Sequence, residues 1–188
     1  MKLILRSTLL ILLMSLVSTL VWADQFAETK KMFEDAGASN MFGSAYGYAL
    51  FPTIGKAGFV VGGAYGEGRV YEQGKYVGNT RMTQATIGFQ LGGEGFSQVV
   101  FFQDKRALDE FINGNFEFGA DVQAVVLTAA AGVSANTSGS SATASGGKNN
   151  ANTGGSGYNK GMATFTISKG GAMYEASVGG QKFSFSRR

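Results

Sequence analysis

Residues 51–71 read FPTIGKAGFVVGGAYGEGRVY and hold six glycines, one of them in a Gly55-Lys56 pair. Glycine at this density either lets backbone N–H groups cradle a phosphate or clears one face of a β-strand for a close neighbour. Spacing decides between the two. A Walker loop requires G-x-x-x-x-G-K-[ST], yet Leu50 stands where the first glycine belongs and Ala57 follows Lys56. A dinucleotide loop built on Gly66-x-Gly68 would need glycine at position 71, where Tyr71 stands, and no helical pattern follows. The stretch therefore reads as strand. Phe59, Val61 and Tyr65 fall on one face, and Gly58, Val60, Gly62, Ala64, Gly66 and Gly68 fall on a nearly bare other face.

The rest of the chain carries little catalytic chemistry. It has no histidine and no cysteine, which removes the commonest general base, the thiol nucleophiles and the usual zinc ligands. No G-x-S-x-G elbow is present. A Ser–Lys or carboxylate pair assembles in space rather than in sequence, and no spacing recommends one. No catalytic residue, metal or cofactor is expected, and the protein reads as a binder rather than an enzyme.

Binding candidates are easier to name. Lys56, Arg69, Lys75 and Arg81 fall within one strand-rich stretch, with Glu67 and Glu72 as the acids among them. Lys30 and Lys31 lie on a predicted first helix, and Phe42 and Tyr46 in an aromatic segment after it. Cations of this kind, near a surface of anionic lipid, contribute about 1 kcal/mol each. Their expected partner is an anionic phospholipid or membrane surface. The chain lacks the basic footprint of a nucleic-acid binder.

These residues need elements to position them. Residues 24–36 are rich in helix formers and end at Gly37; residues 40–51 suit a short helix running into a strand. From Ala57 the period becomes two. Thr83, Ala85, Ile87, Phe89 and Leu91 share one face, and Val99-Val100-Phe101-Phe102 reads as a strand covered on both sides. One helix interrupts the strands, with Asp104 as N-cap, Ala107, Leu108, Phe111 and Ile112 as its apolar stripe, and Asn113-Gly114 as its stop. Residues 121–134 read as a further strand. Residues 161–186 read as an antiparallel meander with turns at Gly170-Gly171 and Gly179-Gly180.

The ends and one insertion are compositionally distinct. Residues 1–23 have a positive start, an apolar run and Val21-Trp22-Ala23, the layout of a secretory signal cleaved at Ala23-Asp24. Cleavage takes the basic count from 16 to 14 against 13 acidic residues, so the exported domain, residues 24–188, is nearly neutral. Residues 136–159 are almost entirely Gly, Ser, Thr, Asn and Ala and read as a mobile loop, because they cannot bury enough apolar surface to offset ordering.

In order along the chain, several blocks resemble the SYLF domain family. They are Tyr48-Ala49-Leu50-Phe51-Pro52, Gly55-Lys56-Ala57-Gly58-Phe59, Gly62-Gly63-Ala64-Tyr65-Gly66-Glu67-Gly68, and Ile87-Gly88-Phe89-Gln90-Leu91-Gly92-Gly93. Phe101-Phe102, residues 116–119, and Gly180-Gln181-Lys182-Phe183 extend the likeness over nearly all of the exported part. The resemblance implies a lipid-binding module with no catalytic residues to carry over. Eukaryotic members bind phosphoinositide membranes and fungal ones also act on actin, whereas bacterial members are exported envelope proteins. The signal here matches the bacterial branch and argues against actin as a natural partner. The Gly/Ser/Asn-rich insertion departs from the family pattern.

The expected fold is α+β: a mainly antiparallel curved sheet or sandwich with an N-terminal helix and one short inserted helix. The expected location is periplasmic or secreted, peripheral to a membrane. Two rival readings are a small integral outer-membrane β-barrel or structural envelope protein, and a carboxylate-dependent hydrolase. The inserted helix and the doubly covered strand at residues 99–102 argue against the barrel.

Overall fold

The computed structural model describes residues 25–58, 61–87, 94–114, 116–119, 124–127, 158–169 and 179–188. The proposed signal and nearly all of the 136–159 insertion lie outside them. Among the described residues, eight strands form one sheet. They are β1 (Gly47–Gly58), β2 (Val61–Glu72), β3 (Lys75–Ile87), β4 (Glu94–Phe102), β5 (Phe116–Glu117), β6 (Val125–Leu127), β7 (Met162–Lys169) and β8 (Lys182–Arg187). Their order is β5-β8-β3-β2-β1-β4-β7-β6. Every pairing is antiparallel except the short β6–β7 edge, so the expected α+β class with a curved, mainly antiparallel sheet holds.

The glycine-rich stretch is not one strand but two. Gly58 pairs with Gly62, and β1 and β2 run back along each other from there to Gly47 opposite Glu72. The bare face lies on β2, where it makes room for side chains of β1. A β-carbon on Gly68 would stand 2.6 Å from the Phe51 ring and 2.7 Å from the Leu50 carbonyl oxygen. One on Gly66 would stand 2.5 Å from Ile54. The large side chains of β1 thus lie across the glycines of β2. Pro52 is the single proline of the chain, and it sits where the β1 register shifts between Leu50 and Thr53. A residue without an N–H fits such a bulge. Ser97 Oγ donates to its carbonyl at 2.7 Å.

The sheet carries a core on each side. On the concave side Phe51, Ile54, Val70, Met82, Phe96, Val100, Phe102 and Phe183 surround the inserted helix α3 (Lys105–Ile112). That helix forms as its sequence predicts: Asp104 Oδ1 accepts from the Ala107 N–H at 2.8 Å, Ala107, Leu108 and Phe111 are buried, and Gly114 turns away at φ +107°. On the convex side, helix α1 (residues 25–33) leads through a widened turn, Glu34–Ala38, into helix α2 (Ser39–Ser44). Gly37 bends the chain there at φ +107°. Phe26, Phe33 and Ala38 cover Tyr48, Leu50, Val99, Phe101, Ala163 and Ile167. Residues 99–102 of β4 are therefore buried on both faces, as their unbroken apolar run predicts.

The curl closes on a buried amide pair. Gln98 of β4 donates to the Gln181 Oε1 at 2.8 Å and accepts from its Nε2 at 3.0 Å, and both side chains are fully buried. Strands β3, β2 and β1 lie between β8 and β4 in the sheet, so this bond spans the concavity. Gln84 Nε2 holds the neighbouring Gly179 carbonyl at 2.9 Å, and Phe118 exchanges backbone bonds with Gly180 and Gln181. The two C-terminal strands do not lie beside each other: β7 pairs with β4, and β8 pairs with β3 on the other side of the sheet. The middle strand expected of the meander, residues 172–178, lies outside the described residues, and of the strand expected over 121–134 three residues appear, as β6.

Candidate functional site

The two convex halves of the sheet differ. Helices α1 and α2 cover β1, β4 and β7, while the convex side chains of β2, β3 and β8 face outward. Cross-strand register arranges the open half in rungs. Arg69 stands opposite Asn79, with Ser186 on the far side; Glu67 stands opposite Arg81, with Ser184 beyond it; Tyr65 stands opposite Thr83, with Lys182 beyond.

An aromatic row crosses the hairpin end of this face. Phe42 of α2 meets Tyr48 of β1 edge-on at 5.0 Å, Tyr48 stacks on Tyr71 of β2 at 4.8 Å, and Tyr71 lies 5.9 Å from Tyr76 of β3. Tyr76 joins the row through a bulge. The β2–β3 register shifts between Val70 and Tyr71, which pairs Tyr71 with Tyr76 and leaves Val77 against the concave core. The tight turn at Gln73 (φ 48°) and Gly74 (φ 78°) brings the two tyrosines together as cross-strand neighbours, their rings tilted by 48°.

Cations lie against this row. The Lys30 ammonium lies 4.8 Å from the centre of the Phe42 ring, and the Arg69 guanidinium is 4.2 Å from that of Phe26 and 5.1 Å from that of Tyr76. Arg188 approaches Tyr76 from its other neighbour strand at 5.4 Å. Cation–π attraction to two rings and a hydrogen bond to Tyr71 hold the Arg69 guanidinium, a planar group with five N–H donors. Among the described side chains no carboxylate forms an ion pair with Arg69 or Lys75.

Tyr48 and Tyr71 bring no charge at neutral pH. Burial pushes the Tyr48 phenol up to about 12. Burial also raises Tyr71, against the opposing pull of the Arg69 hydrogen bond and charge. Tyr46 is raised by its hydrogen bond to Glu72, to which its hydroxyl donates at 2.8 Å. The electrostatics of the row are set by its cations.

The sequence candidates divide accordingly. Lys30, Phe42 and Arg69 come together in or beside the row, Lys75 lies at the hairpin opposite Glu72, Tyr46 packs instead against the concave core with its hydroxyl on Glu72, and Lys31 sits outside on α1, paired with Asp35 at 2.7 Å. Lys30 is also paired, with Glu34. Arg81 shares the convex face but is tied to Glu67 at 3.3 Å. Lys56 does not join them. It is six strand residues past Leu50, the partner of Arg69, or about 20 Å. Its ammonium lies over Phe96, a ring of the concave core. Sequence reasoning missed Phe26, Tyr48, Tyr71 and Tyr76; the tyrosines flanking the Gln73-Gly74 turn were the available signal.

Among the described residues no helix is long and apolar enough to cross a membrane, which leaves β-strand spanning untouched. A family model described as Ysc84, Las17-binding protein actin regulator, matches residues 83–188. Beta cell expansion factor A of Aeromonas veronii is 28% identical to this chain over 152 residues, covering 80% of this chain and 49% of that protein. The chain thus spans about half the length of the curated relative it matches. The family match begins at Thr83, so it covers β4 to β8 and leaves most of the cation–aromatic row ahead of it.

Proposed function

This chain belongs to the Ysc84 (SYLF) family, and from that premise we propose that it is an exported, non-catalytic domain that binds anionic lipid peripherally at an envelope membrane. The observation that carries this reading is the row Phe42, Tyr48, Tyr71 and Tyr76, flanked by Lys30, Arg69 and Lys75. Within the row, the half-buried Tyr71 and Tyr76 carry polar tips beside cations, which suits the boundary between headgroups and acyl chains. Arg69 and Lys75 form no ion pair among the described residues, although Glu72 stands opposite Lys75 across the hairpin, and Arg69 has planar donors suited to a headgroup phosphate. Lys30, Lys31 and Arg81 play a lesser part, because each is already paired with a carboxylate, and Tyr46, packed against the concave core, takes none. Lys56, on the concave side, makes no contact in this reading.

Flotation with phosphatidylglycerol vesicles, against phosphatidylcholine vesicles, tests the proposal. Co-flotation with the anionic vesicles at low salt is expected, and it weakens as salt shortens the screening length. Arg69→Ala with Lys75→Ala removes about 2 kcal/mol of surface attraction, roughly thirtyfold in partitioning. Absence of co-flotation at low salt overturns lipid binding, and full binding by the double variant overturns this placement of it.

A further inference from the structure

Tyr76 lies between two arginines. Its strand, β3, is flanked by β2, which carries Arg69, and by β8, which Arg188 extends. Phe185 packs against the concave core, so alternation along β8 puts Ser186 and Arg188 on the convex side. The Arg188 N–H donates to the Val77 carbonyl at 3.1 Å, which ties the residue to β3 just past the Gly78–Arg187 rung. The guanidinium of Arg69 is 5.1 Å from the centre of the Tyr76 ring and that of Arg188 is 5.4 Å from it. The two cations therefore stand no farther apart than those distances together allow, and they approach the ring from opposite neighbouring strands.

Neither arginine forms an ion pair among the described residues. Two like charges held this close repel each other, and a ligand that neutralises both relieves the repulsion. The ground between them is polar but uncharged. Register puts Arg69, Asn79 and Ser186 on one rung, and both Asn79 and Ser186 are exposed. The Tyr76 hydroxyl donates to Asn79 Oδ1 at 2.7 Å, which fixes the ring and leaves the Asn79 amide N–H groups and the Ser186 hydroxyl for a ligand. The pattern is cation, neutral hydrogen-bonding groups, cation. Its complement is anion, hydroxylated linker, anion. Building on the lipid reading above, we propose that Arg69 and Arg188 form a paired site for a lipid with two phosphodiesters joined through one glycerol. Each guanidinium takes one phosphate, Tyr76 keeps the two cations apart, and Asn79 and Ser186 meet the hydroxyl of the linking glycerol. Once one phosphate is held, the second binds without recruiting another lipid molecule, which favours this headgroup over two separate ones.

Flotation of the full chain tests the pairing. The vesicles are phosphatidylcholine with either diphosphatidylglycerol or phosphatidylglycerol, matched in phosphate content so that surface charge is equal. Binding to the diphosphatidylglycerol vesicles should be about fivefold tighter, the scale of one further arginine–headgroup contact. Arg188→Gln, at an exposed position, should bring the two affinities together. Lys75→Gln should weaken binding to both kinds of vesicle and leave their ratio as in the parent, which separates pairing from general attraction. Equal binding of the parent to both vesicles overturns the paired site and leaves the lipid reading standing. A preference that Arg188→Gln does not reduce also overturns it. Absence of binding to either vesicle overturns the lipid reading and this inference with it.

Discussion

Replacing Gln98 with leucine probes how the sheet is held in its curl. The side chain is fully buried and exchanges two hydrogen bonds with Gln181, at 2.8 and 3.0 Å. Leucine removes both bonds and strands the Gln181 oxygen and amide nitrogen in an apolar interior. Each stranded group costs about 1–3 kcal/mol, so the single variant should lose about 2–6 kcal/mol. That is a large share of the ~5–15 kcal/mol by which domains are stable. Gln181→Leu should cost a similar amount by the same route. The double variant should be more stable than either single one, because two apolar side chains leave nothing unsatisfied. The sign of that coupling is the sharp expectation. Urea unfolding followed by far-ultraviolet circular dichroism measures all three variants against the parent. A Gln98→Leu loss below about 1 kcal/mol, or losses that simply add in the double variant, would refute the view that these amides clasp β4 to the segment leading into β8.

Gly68→Ala should destabilise the protein by about 1–3 kcal/mol in the same assay, because its methyl meets both the Phe51 ring and the Leu50 carbonyl, and the backbone cannot yield. Alkaline stability should report on Tyr48: its folded-state phenol is raised to about 12 from the ordinary 10, so the benefit of its neutral form is complete below about pH 10 and is lost as pH rises towards 12. The loss is on the order of 2 kcal/mol, and Tyr48→Phe should flatten that part of the pH–stability curve while leaving neutral-pH stability within about 1 kcal/mol. An unchanged alkaline slope in Tyr48→Phe would remove Tyr48 from the account.

What could be read in advance was local. Asp104, the Ala107-Leu108-Phe111 stripe and Gly114 specify α3 within eleven residues, and the structure follows them. The Gln73-Gly74 turn and the doubly buried run Val99–Phe102 were legible for the same reason. The β1–β2 reversal was not, since it falls between Gly58 and Gly62, where Phe59-Val60-Val61 continues a strand-like apolar pattern and offers no Asn, Asp or Pro. Nor could local pattern place β7 and β8 on opposite sides of the sheet, or pair Gln98 with a residue 83 positions away. In the candidate site the cations Lys30, Arg69 and Lys75 were visible as residue types. Tyr76 was not visible as their neighbour, because a register shift sets which face it occupies.

The glycines and the amide clasp bear on the proposed lipid face through geometry. Phe51 and Ile54 can lie across β2 only because Gly68 and Gly66 have no side chains, and this lets β2 approach β1 closely on the concave side. The convex side of the same strands then has side chains only at alternate positions: Tyr65, Glu67, Arg69 and Tyr71. Helices α1 and α2 cover the convex face as far as Phe26, whose ring Arg69 meets at the border of the open half. Arg69 is thus packed by one layer and presented by the other. A cation on a free loop would have to be ordered as it met a headgroup, whereas Arg69 is already held between Phe26 and Tyr76, so little side-chain entropy remains to be lost on contact. The same glycine pattern that first resembled a phosphate cradle contributes to phosphate contact in this reading only indirectly, by shaping the strand that aims Arg69.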